Sequence, residues 1–302
     1  MTTDYRLPTI DYPVFPPRRS YVLPLPGHRQ IVLGEHPLVV GILNVTPDSF
    51  AETEDHQSVA AAVDAGLRMA DAGADVLDVG GESTRPGAAA VSAEVELARV
   101  LPVVRELARR LTIPIAIDTC KAEVARQVLD AGAAIVNDVS GLRRDQALAG
   151  VVARAGASLV LMHSRGRSET MYDEARYADL MGEVILELRA SVAAAVAAGV
   201  AMERLVIDPG IGFAKRPDHS YGVLAQLPRL ADAFDRPLLV GPSRKSFMRE
   251  ALDGRPAVER DWGTAAAVAA AVLGGAHLIR VHAVGEMVQV VRVAEAIRRH
   301  AH

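Results

Sequence analysis

The sequence predicts a single (β/α)8 barrel that follows an N-terminal extension. Eight short apolar runs each end in a polar or charged residue, and an Ala-rich segment with helical spacing lies between successive runs. The runs and the polar residues after them are 38–43 (Asn44), 76–77 (Asp78), 115–117 (Asp118), 134–136 (Asn137), 159–162 (His163), 205–207 (Asp208), 238–241 (Ser243, Arg244, Lys245) and 278–279 (Arg280, His282). Eight strand-then-helix units are typical of this barrel, whose active site lies at the carboxyl ends of the strands.

The composition agrees with this fold and limits the possible partners. Half of the 302 residues are hydrophobic but only 4% are aromatic, so Ala, Val, Leu and Ile must fill a core of parallel strands buried on both faces. The net charge of −4 offers no general attraction for nucleic acids or anionic membranes, and neither is expected as a partner. A single cysteine, no apolar run near the ~20 residues of a membrane span and no signal-peptide core predict a cytoplasmic protein.

Residues 1–36 form an N-terminal arm distinct from the barrel, which we expect over residues 37–302. Six prolines preclude a helix in the arm, and residues 18–35 could form a hairpin around Pro26-Gly27. Such a segment would cap the amino ends of the barrel strands. An extended arm is the alternative.

Capping residues predict the positions of the helices between the strands. Ser58 and Ser92 are the expected N-caps of two helices, and glycines are expected to end several others. The predicted helices cover 59–71 with Gly73 after it, the helix that Ser92 opens, 121–129 with Gly132, 177–198 with Gly199, and 263–273 with Gly274-Gly275. A doubly wound open sheet is the rival fold, but the turn at residues 44–50 lacks the glycines of its phosphate loop.

Three strand ends carry hydrogen-bond acceptors, namely Asp118, Asn137 and Asp208. Each alone could be a helix cap or a turn residue. Because eight strand ends meet in one ring, the three together indicate a floor of acceptors for a ligand rich in N–H groups. An aminopyrimidine-like heterocycle has this character.

Cationic residues follow three other strands. Arg85, Lys245, Arg280 and His282 form a predicted basic rim, and barrels often bind phosphate near the last two strands. Arg matches phosphate oxygens bidentately, so a heterocycle with a phosphate or diphosphate would suit both floor and rim. Neither a Cys–His nucleophile pair nor zinc-ligand spacing occurs. If a metal is used, we expect Mg²⁺ on oxygen ligands such as Asn44 and substrate phosphate.

Seven motifs in order resemble dihydropteroate synthase. They are GILNVTPDSF at 41–50, DVGGESTRPG at 78–87, IDTCK at 117–121, ND at 137–138, DPGIGFAK at 208–215, GPSRKS at 241–246 and RVH at 280–282. The match extends from about residue 37 to the C-terminus. It implies a barrel enzyme that joins p-aminobenzoate to 6-hydroxymethyl-7,8-dihydropterin diphosphate and releases pyrophosphate with Mg²⁺ present. It also suggests a homodimer through the late helices, including the one that carries residues 265–267.

The resemblance implies a role for each matching position. The pterin would be held by Asp118, Asn137, Asp208, Phe213, Lys245 and Arg280, and the diphosphate by Asn44, Thr84, Arg85, Arg280 and His282, with Asn44 also near the metal. The p-aminobenzoate pocket would include Phe50, Thr84, Pro86 and Ser246. Arg85, Lys245, Arg280 and His282 would be catalytic, in a reaction of strong SN1 character in which diphosphate leaves before the amine attacks.

The sequence departs from the family pattern in three places. Residues 51–54 read Ala-Glu-Thr-Glu where Ser-Asp-Gly-Gly is usual, Ala283 replaces an Asp, and 163–166 read His-Ser-Arg-Gly instead of His-Met-Gln-Gly. The lost glycines remove easy access to positive φ in a loop expected to close over the substrates. A pterin-binding paralogue with little or no synthase activity is therefore the main alternative. A pterin-dependent methyltransferase domain and a non-catalytic barrel are less favoured, because the 82–87 and 243–245 motifs are intact and many strand ends carry site-like polar groups.

Overall fold

The computed structural model describes residues 15–46, 55–83, 87, 90–166 and 170–301, although not the side chains of 55–58. Within them, eight parallel strands form a nearly closed barrel, which confirms the predicted fold. The strands are β3 (Leu38–Asn44), β4 (Val76–Gly80), β5 (Ile115–Asp118), β6 (Ile135–Asp138), β7 (Ser158–Met162), β8 (Leu205–Asp208), β9 (Leu239–Val240) and β10 (Leu278–Val281). β10 pairs with both β3 and β9, and a single parallel bridge between Ile207 and Leu238 joins β8 to β9.

The strand register brings predicted site residues into one row. Asn44 is opposite Gly80, Gly80 is opposite Asp118, and Asp118 is opposite Asn137. Gly80 keeps this row open, because a Cβ there would lie 3.5 Å from the Asp118 Cβ and 3.8 Å from the Asn44 side-chain oxygen. The carboxyl ends of β3 to β6 thus place an amide, a carboxylate and a second amide side by side.

Nine α-helices surround the strands in the described part of the chain. They are α1 (Asp55–Asp71), α2 (Ala93–Arg110), α3 (Ala122–Asp130), α4 (Ala147–Ala155), α5 (Leu180–Ala197), α6 (Pro217–Ala225), α7 (Leu227–Phe234), α8 (Asp261–Leu273) and α9 (Val284–Arg299). The predicted cap of α2 is confirmed, since Ser92 Oγ accepts a hydrogen bond from the Val95 amide at 3.3 Å.

Two predicted helix starts are wrong by three or more residues, and α8 starts at Asp261, two residues before the predicted 263. α1 begins at Asp55, so Ser58 lies inside the helix and is not its N-cap. α5 begins at Leu180 and not at residue 177, because Asp179 is extended and its carboxylate accepts the Gly182 amide at 3.1 Å. Tyr177 is held outside the helix by a 3.0 Å hydrogen bond from its hydroxyl to the Ala214 carbonyl. In both cases the predicted helix is present but begins at a different residue.

An antiparallel hairpin closes the amino end of the barrel. Its strands are β1 (Tyr21–Pro24) and β2 (Gln30–Leu33), on either side of the predicted Pro26-Gly27 turn. Leu23, Leu25 and Leu33 are buried in one apolar cluster with side chains of all eight barrel strands. The Pro24 carbonyl accepts the Ser158 hydroxyl at 2.6 Å, which fixes the hairpin to β7. Ligands must therefore enter from the carboxyl end.

None of the helices in the described ranges is both long enough and apolar enough to cross a membrane.

Candidate functional site

A cavity of about 500 Å³ opens at the carboxyl ends of the barrel strands. Most of the predicted site residues that the structure describes line this cavity. Those in the lining are Asn44, Asp118, Phe213, Lys245, Ser246, Arg280 and His282. Phe50, Thr84, Arg85 and Pro86 lie outside the described residues, as does the altered segment 51–54. The structure therefore brings together residues of β3, β5, β10 and the connections after β8 and β9.

Arg280 lies at the centre of the cavity floor and binds two carboxylates. Its Nε donates to Asp78 Oδ2 at 2.6 Å and its Nη2 donates to Asp118 Oδ2 at 2.7 Å. Burial alone would lower the pKa of Arg280, but the two carboxylates outweigh burial and raise it. Burial also raises the pKa of Asp118 to about 7, against the attraction of Arg280 and with further repulsion from Asp78.

Asp78 is a functional residue that the sequence analysis missed. It was recognised as a polar strand end, but it received no role at the site. The same Asp78 oxygen that accepts from Arg280 also accepts from Asn137 Nδ2 at 2.9 Å. Asp78 lies in the middle of β4 and is 1% exposed. A carboxylate inside an apolar strand needs a buried partner, and that requirement was the available signal.

Asn137 and Asp208, the other two predicted acceptors, are buried and are not among the residues that line this cavity. Asn137 is 3% exposed, and its Oδ1 accepts no hydrogen bond from the described residues. Asp208 Oδ1 accepts from the Gly210 amide at 2.7 Å. Burial raises the pKa of Asp208, while nearby Lys245 opposes this effect. Asp138, which follows Asn137 in the chain, caps a turn by accepting from the Ser140 amide at 2.8 Å.

Lys245 extends over the aromatic wall of the cavity. Its Nζ lies 4.4 Å from the centroid of the Phe213 ring and donates to the Ile211 carbonyl. Burial lowers the pKa of Lys245 to about 8, although Asp208 acts in the opposite direction. Gly212 allows this approach, because its φ is +77° and a Cβ there would lie 3.0 Å from the lysine Cδ.

His282 is oriented by Ser243 from the neighbouring strand end. The Ser243 hydroxyl accepts the His282 backbone N–H at 3.1 Å and lies 2.8 Å from His282 Nδ1. In the tautomer with Nδ1 unprotonated, the Ser243 hydroxyl donates to Nδ1 and Nε2 is the N–H donor. The neighbouring Arg244 instead forms a bidentate ion pair with Asp261 at 2.7 and 2.8 Å, which secures the connection after β9.

Lys215 and His163 form a buried pair that the sequence analysis did not predict. Lys215 Nζ is 2.7 Å from His163 Nδ1 and 3.2 Å from the Phe213 carbonyl. Burial, aided by the charge of Lys215, lowers the pKa of His163 to about 3, so the ring is a neutral acceptor. The pair supports the backbone that carries Phe213.

The loop after β4 is anchored at Glu82. Lys121 binds Glu82 and also Glu96 Oε2, the latter at 2.5 Å, and Arg144 lies 3.4 Å from Glu82. Glu82 is thus fixed at the base of the segment that carries the predicted Thr84, Arg85 and Pro86.

The fold and the cavity lining are those expected of a barrel enzyme whose ligand carries both N–H donors and phosphate. The Pterin binding enzyme family matches residues 40–282. The chain is 45% identical over 286 residues to dihydropteroate synthase of Synechocystis, covering 94% of this chain and 96% of that one. It is 46% identical over 261 residues to dihydropteroate synthase of Escherichia coli, with coverages of 86% and 92%.

Solved structures agree with these relatives. A Yersinia pestis dihydropteroate synthase with a sulfonamide drug complex superposes with a TM-score of 0.85 at 40% identity, covering 92% of this chain and 99% of that one. A Burkholderia cenocepacia dihydropteroate synthase complexed with 7,8-dihydropteroate gives 0.83 at 39% identity, with coverages of 93% and 98%. The chain belongs to the dihydropteroate synthase family of pterin binding enzymes. It is a transferase of folate synthesis, as the motifs predicted, and the comparisons favour this over a methyltransferase domain.

Proposed function

We propose that this chain condenses 6-hydroxymethyl-7,8-dihydropterin diphosphate with p-aminobenzoate, giving 7,8-dihydropteroate and pyrophosphate. The observation that carries the proposal is Arg280, which lies between Asp78 and Asp118 in a cavity shared with Lys245 and His282. The cavity thus offers buried acceptors to a heterocycle and cations to a diphosphate. The ligands named in two related structures, 7,8-dihydropteroate and 4-aminobenzoic acid, support the same reaction.

In this proposal the floor holds the pterin. Asp118 on the cavity wall would accept N–H groups of the aminopyrimidine, as would the buried Asp208 and the open Oδ1 of Asn137, and Lys245 would donate to its carbonyl oxygen. Phe213 covers one edge of the ring and Arg280 stacks nearby. The carboxylates also stabilise positive charge that develops on the pterin in the transition state.

The rim holds the leaving group. Arg280 and His282, with Asn44 and the loop residues Thr84 and Arg85, would bind the diphosphate. The bond from the pterin methylene carbon to the diphosphate oxygen breaks first. The p-aminobenzoate amine then attacks the methylene cation and loses a proton. Arg85, Lys245, Arg280 and His282 are the proposed catalytic residues, because cations fixed beside the departing oxygens lower the barrier to their departure.

Mg²⁺ fits the donor set at the carboxyl end of β3. In the described part of the chain, no three His, Cys, Asp or Glu side chains are grouped to hold a metal ion. Asn44 offers one amide oxygen on the cavity wall. Mg²⁺ commonly binds one or two protein oxygens together with substrate phosphates, so Asn44 and the diphosphate would hold it. Held there, Mg²⁺ would supply positive charge beside the phosphate oxygens.

The second substrate would lie at the cavity mouth. Ser246 begins a 3-10 helix, Ser246–Met248, next to Lys245 and is exposed. Its hydroxyl is the proposed partner of the p-aminobenzoate carboxylate, and Phe50, Thr84 and Pro86 would supply the remaining walls.

We also infer a homodimer in the cytoplasm, with residues 1–36 as an arm on a barrel domain of residues 37–302. Large apolar side chains are exposed on the last two helices, with Trp262 of α8 at 88% and Val293 and Ile297 of α9 at 61% and 54%. Exposed apolar residues concentrated on two neighbouring helices are a feature of subunit interfaces.

A pyrophosphate-release assay tests the proposed reaction. The full chain with Mg²⁺ and pterin diphosphate should release pyrophosphate only when p-aminobenzoate is added. Lys245→Ala and Asp118→Ala should each abolish pterin diphosphate binding in calorimetry while keeping the circular dichroism spectrum. Near-native affinity in either variant would contradict the site assignment. Normal pterin binding without p-aminobenzoate-dependent release would instead identify the non-condensing paralogue.

A further inference from the structure

The connection between β7 and α5 makes a contact with Ser246 that the sequence analysis did not predict. Tyr172 lies in a turn of residues 170–174, and its hydroxyl oxygen is 2.9 Å from Ser246 Oγ. The preceding Met171 is 3% exposed and lines the same cavity as Phe213. Met171 therefore forms part of the cavity wall, and Tyr172 lies beside Ser246 at the cavity mouth.

The chain that follows Tyr172 is firmly held, so the contact is not that of a free side chain. Ala175 is 1% exposed, and the Tyr177 hydroxyl donates to the Ala214 carbonyl at 3.0 Å. Arg165 donates to the Arg176 carbonyl at 2.7 Å, and its guanidinium carbon lies 4.1 Å from the centroid of the Tyr177 ring. These contacts anchor the backbone at 175–177, which begins three residues after Tyr172.

The pair of hydroxyls has a preferred direction when an anion is present. Either hydroxyl can be the donor in the free pair. When Ser246 gives its single proton to an anion, its oxygen can only accept from the tyrosine, so the more acidic phenol O–H of Tyr172 is then the donor within the pair. A carboxylate is a strong acceptor for that proton, and consecutive hydrogen bonds strengthen one another. An uncharged acceptor gains much less from the same arrangement.

We propose that Tyr172 is a positioning and specificity-determining residue, which orients the Ser246 hydroxyl toward the carboxylate of the second substrate and so favours p-aminobenzoate over uncharged analogues. This inference rests on the proposed function, since it takes Ser246 as the carboxylate partner. Tyr172 acts through Ser246 and is not required for departure of the diphosphate.

Steady-state kinetics of Tyr172→Phe in the full chain test the inference. The KM for p-aminobenzoate should rise by roughly 3- to 10-fold, the effect of one lost hydrogen bond. Turnover at saturation and the Kd for pterin diphosphate should stay unchanged. The preference for p-aminobenzoate over p-aminobenzamide, measured as the ratio of kcat/KM values, should fall by a similar factor.

Two further variants separate this role from a general structural effect. Tyr221→Phe is the matched control, since Tyr221 packs its ring against Phe247 at 5.1 Å between centroids and is not part of the pair. It should leave both KM and preference unchanged. Ser246→Ala combined with Tyr172→Phe should be no worse than Ser246→Ala alone, because the tyrosine acts through the serine.

The possible outcomes are distinguishable. An active enzyme whose Tyr172→Phe variant keeps its KM and its preference would overturn this inference and leave the proposed function intact. Independent, multiplying effects of the two substitutions would do the same. Wild-type protein without p-aminobenzoate-dependent pyrophosphate release would overturn both.

Discussion

Arg280 and its two carboxylates show how one residue depends on others far away in the chain. Arg280 is largely buried, with 16% of its side chain exposed, and it is balanced by Asp78 and Asp118. A buried charge is tolerated only when it is paired and hydrogen-bonded. The geometry of Arg280 is therefore fixed before any ligand binds, which is what a site for transition-state charge requires.

Asp78→Asn should weaken the site without removing it. The amide oxygen can still accept from both Arg280 and Asn137, but the charge that balances Arg280 is lost. We expect kcat/KM for the pterin diphosphate to fall by roughly 10-fold and the free energy of unfolding to fall by about 1–3 kcal/mol. Because Asp78 raises the pKa of Asp118, the acidic limb of the pH profile should also move to lower pH. An unchanged limb would argue for a purely structural role.

The pH dependence of kcat/KM should be bell-shaped with limbs near pH 7 and pH 8. Protonation of Asp118, whose pKa burial raises to about 7, removes an acceptor as the pH falls. Deprotonation of Lys245, whose pKa burial lowers to about 8, removes a charged donor as the pH rises. The variant Lys245→Arg keeps its charge above pH 8, so its residual activity should lack the alkaline limb. Persistence of that limb would assign it to another group.

Two segments outside the barrel strands bear on the site, namely the N-terminal hairpin and the connection after β3. The β1–β2 hairpin lies at the opposite end of the barrel from the site. Its leucines pack against the inward side chains of the strands and seal the amino end. The sequence predicts that the connection after β3 closes over the substrates, and its residues 51–54 depart from the family pattern.

Leu33→Ala should destabilise the protein without changing the site. Leu33 is fully buried under the barrel, so its truncation should lower the free energy of unfolding by about 2–5 kcal/mol. The KM values should remain as in the wild type, since the cavity lies at the opposite end. The matched control is Val32→Ala, because Val32 is on the outer face of the same strand and is 59% exposed. Chemical denaturation measures both, and equal losses would contradict a capping role for the hairpin.

Replacing residues 51–54 with the family pattern should raise turnover. The changes are Ala51→Ser, Glu52→Asp, Thr53→Gly and Glu54→Gly, of which the last two restore access to positive φ. We expect a several-fold higher kcat and an altered inhibition constant for sulfonamides, which would occupy the p-aminobenzoate pocket. Identical kcat and inhibition constants in the two forms would show that the departure is neutral.

The whole molecule presents its site at one end and a set of exposed apolar side chains on its last helices. Trp262 is the most exposed of the large apolar side chains that the structure describes. A tryptophan with 88% of its surface in water is unfavourable unless a partner covers it.

Trp262→Glu should convert the proposed dimer to monomer. A charge at the centre of an apolar interface is costly to bury, so sedimentation velocity should show the mass of one chain at micromolar concentration. Leu186→Glu provides the control, since Leu186 is 69% exposed on α5, on another side of the barrel, and this variant should remain dimeric. A monomeric wild type would refute the dimer, and a dimeric Trp262→Glu would place its interface elsewhere.

The sequence by itself determined the barrel, the end of it that carries the site, and the family. It could do so because buried parallel strands need continuous apolar runs, and because the polar residues that follow those runs meet in one ring. The motifs then predicted which residues would lie at that ring, and those that the structure describes lie close together there. The individual roles of these residues stay predictions.

Only the tertiary structure decided how those residues are paired. Asp78 binds Arg280 across 202 positions of chain, Tyr172 contacts Ser246 across 74, and Arg244 pairs with Asp261. Helix starts likewise depended on competing contacts, as at Tyr177. Apolar periodicity follows from local geometry, whereas hydrogen bonds between buried polar groups depend on which strand ends the closed barrel brings together.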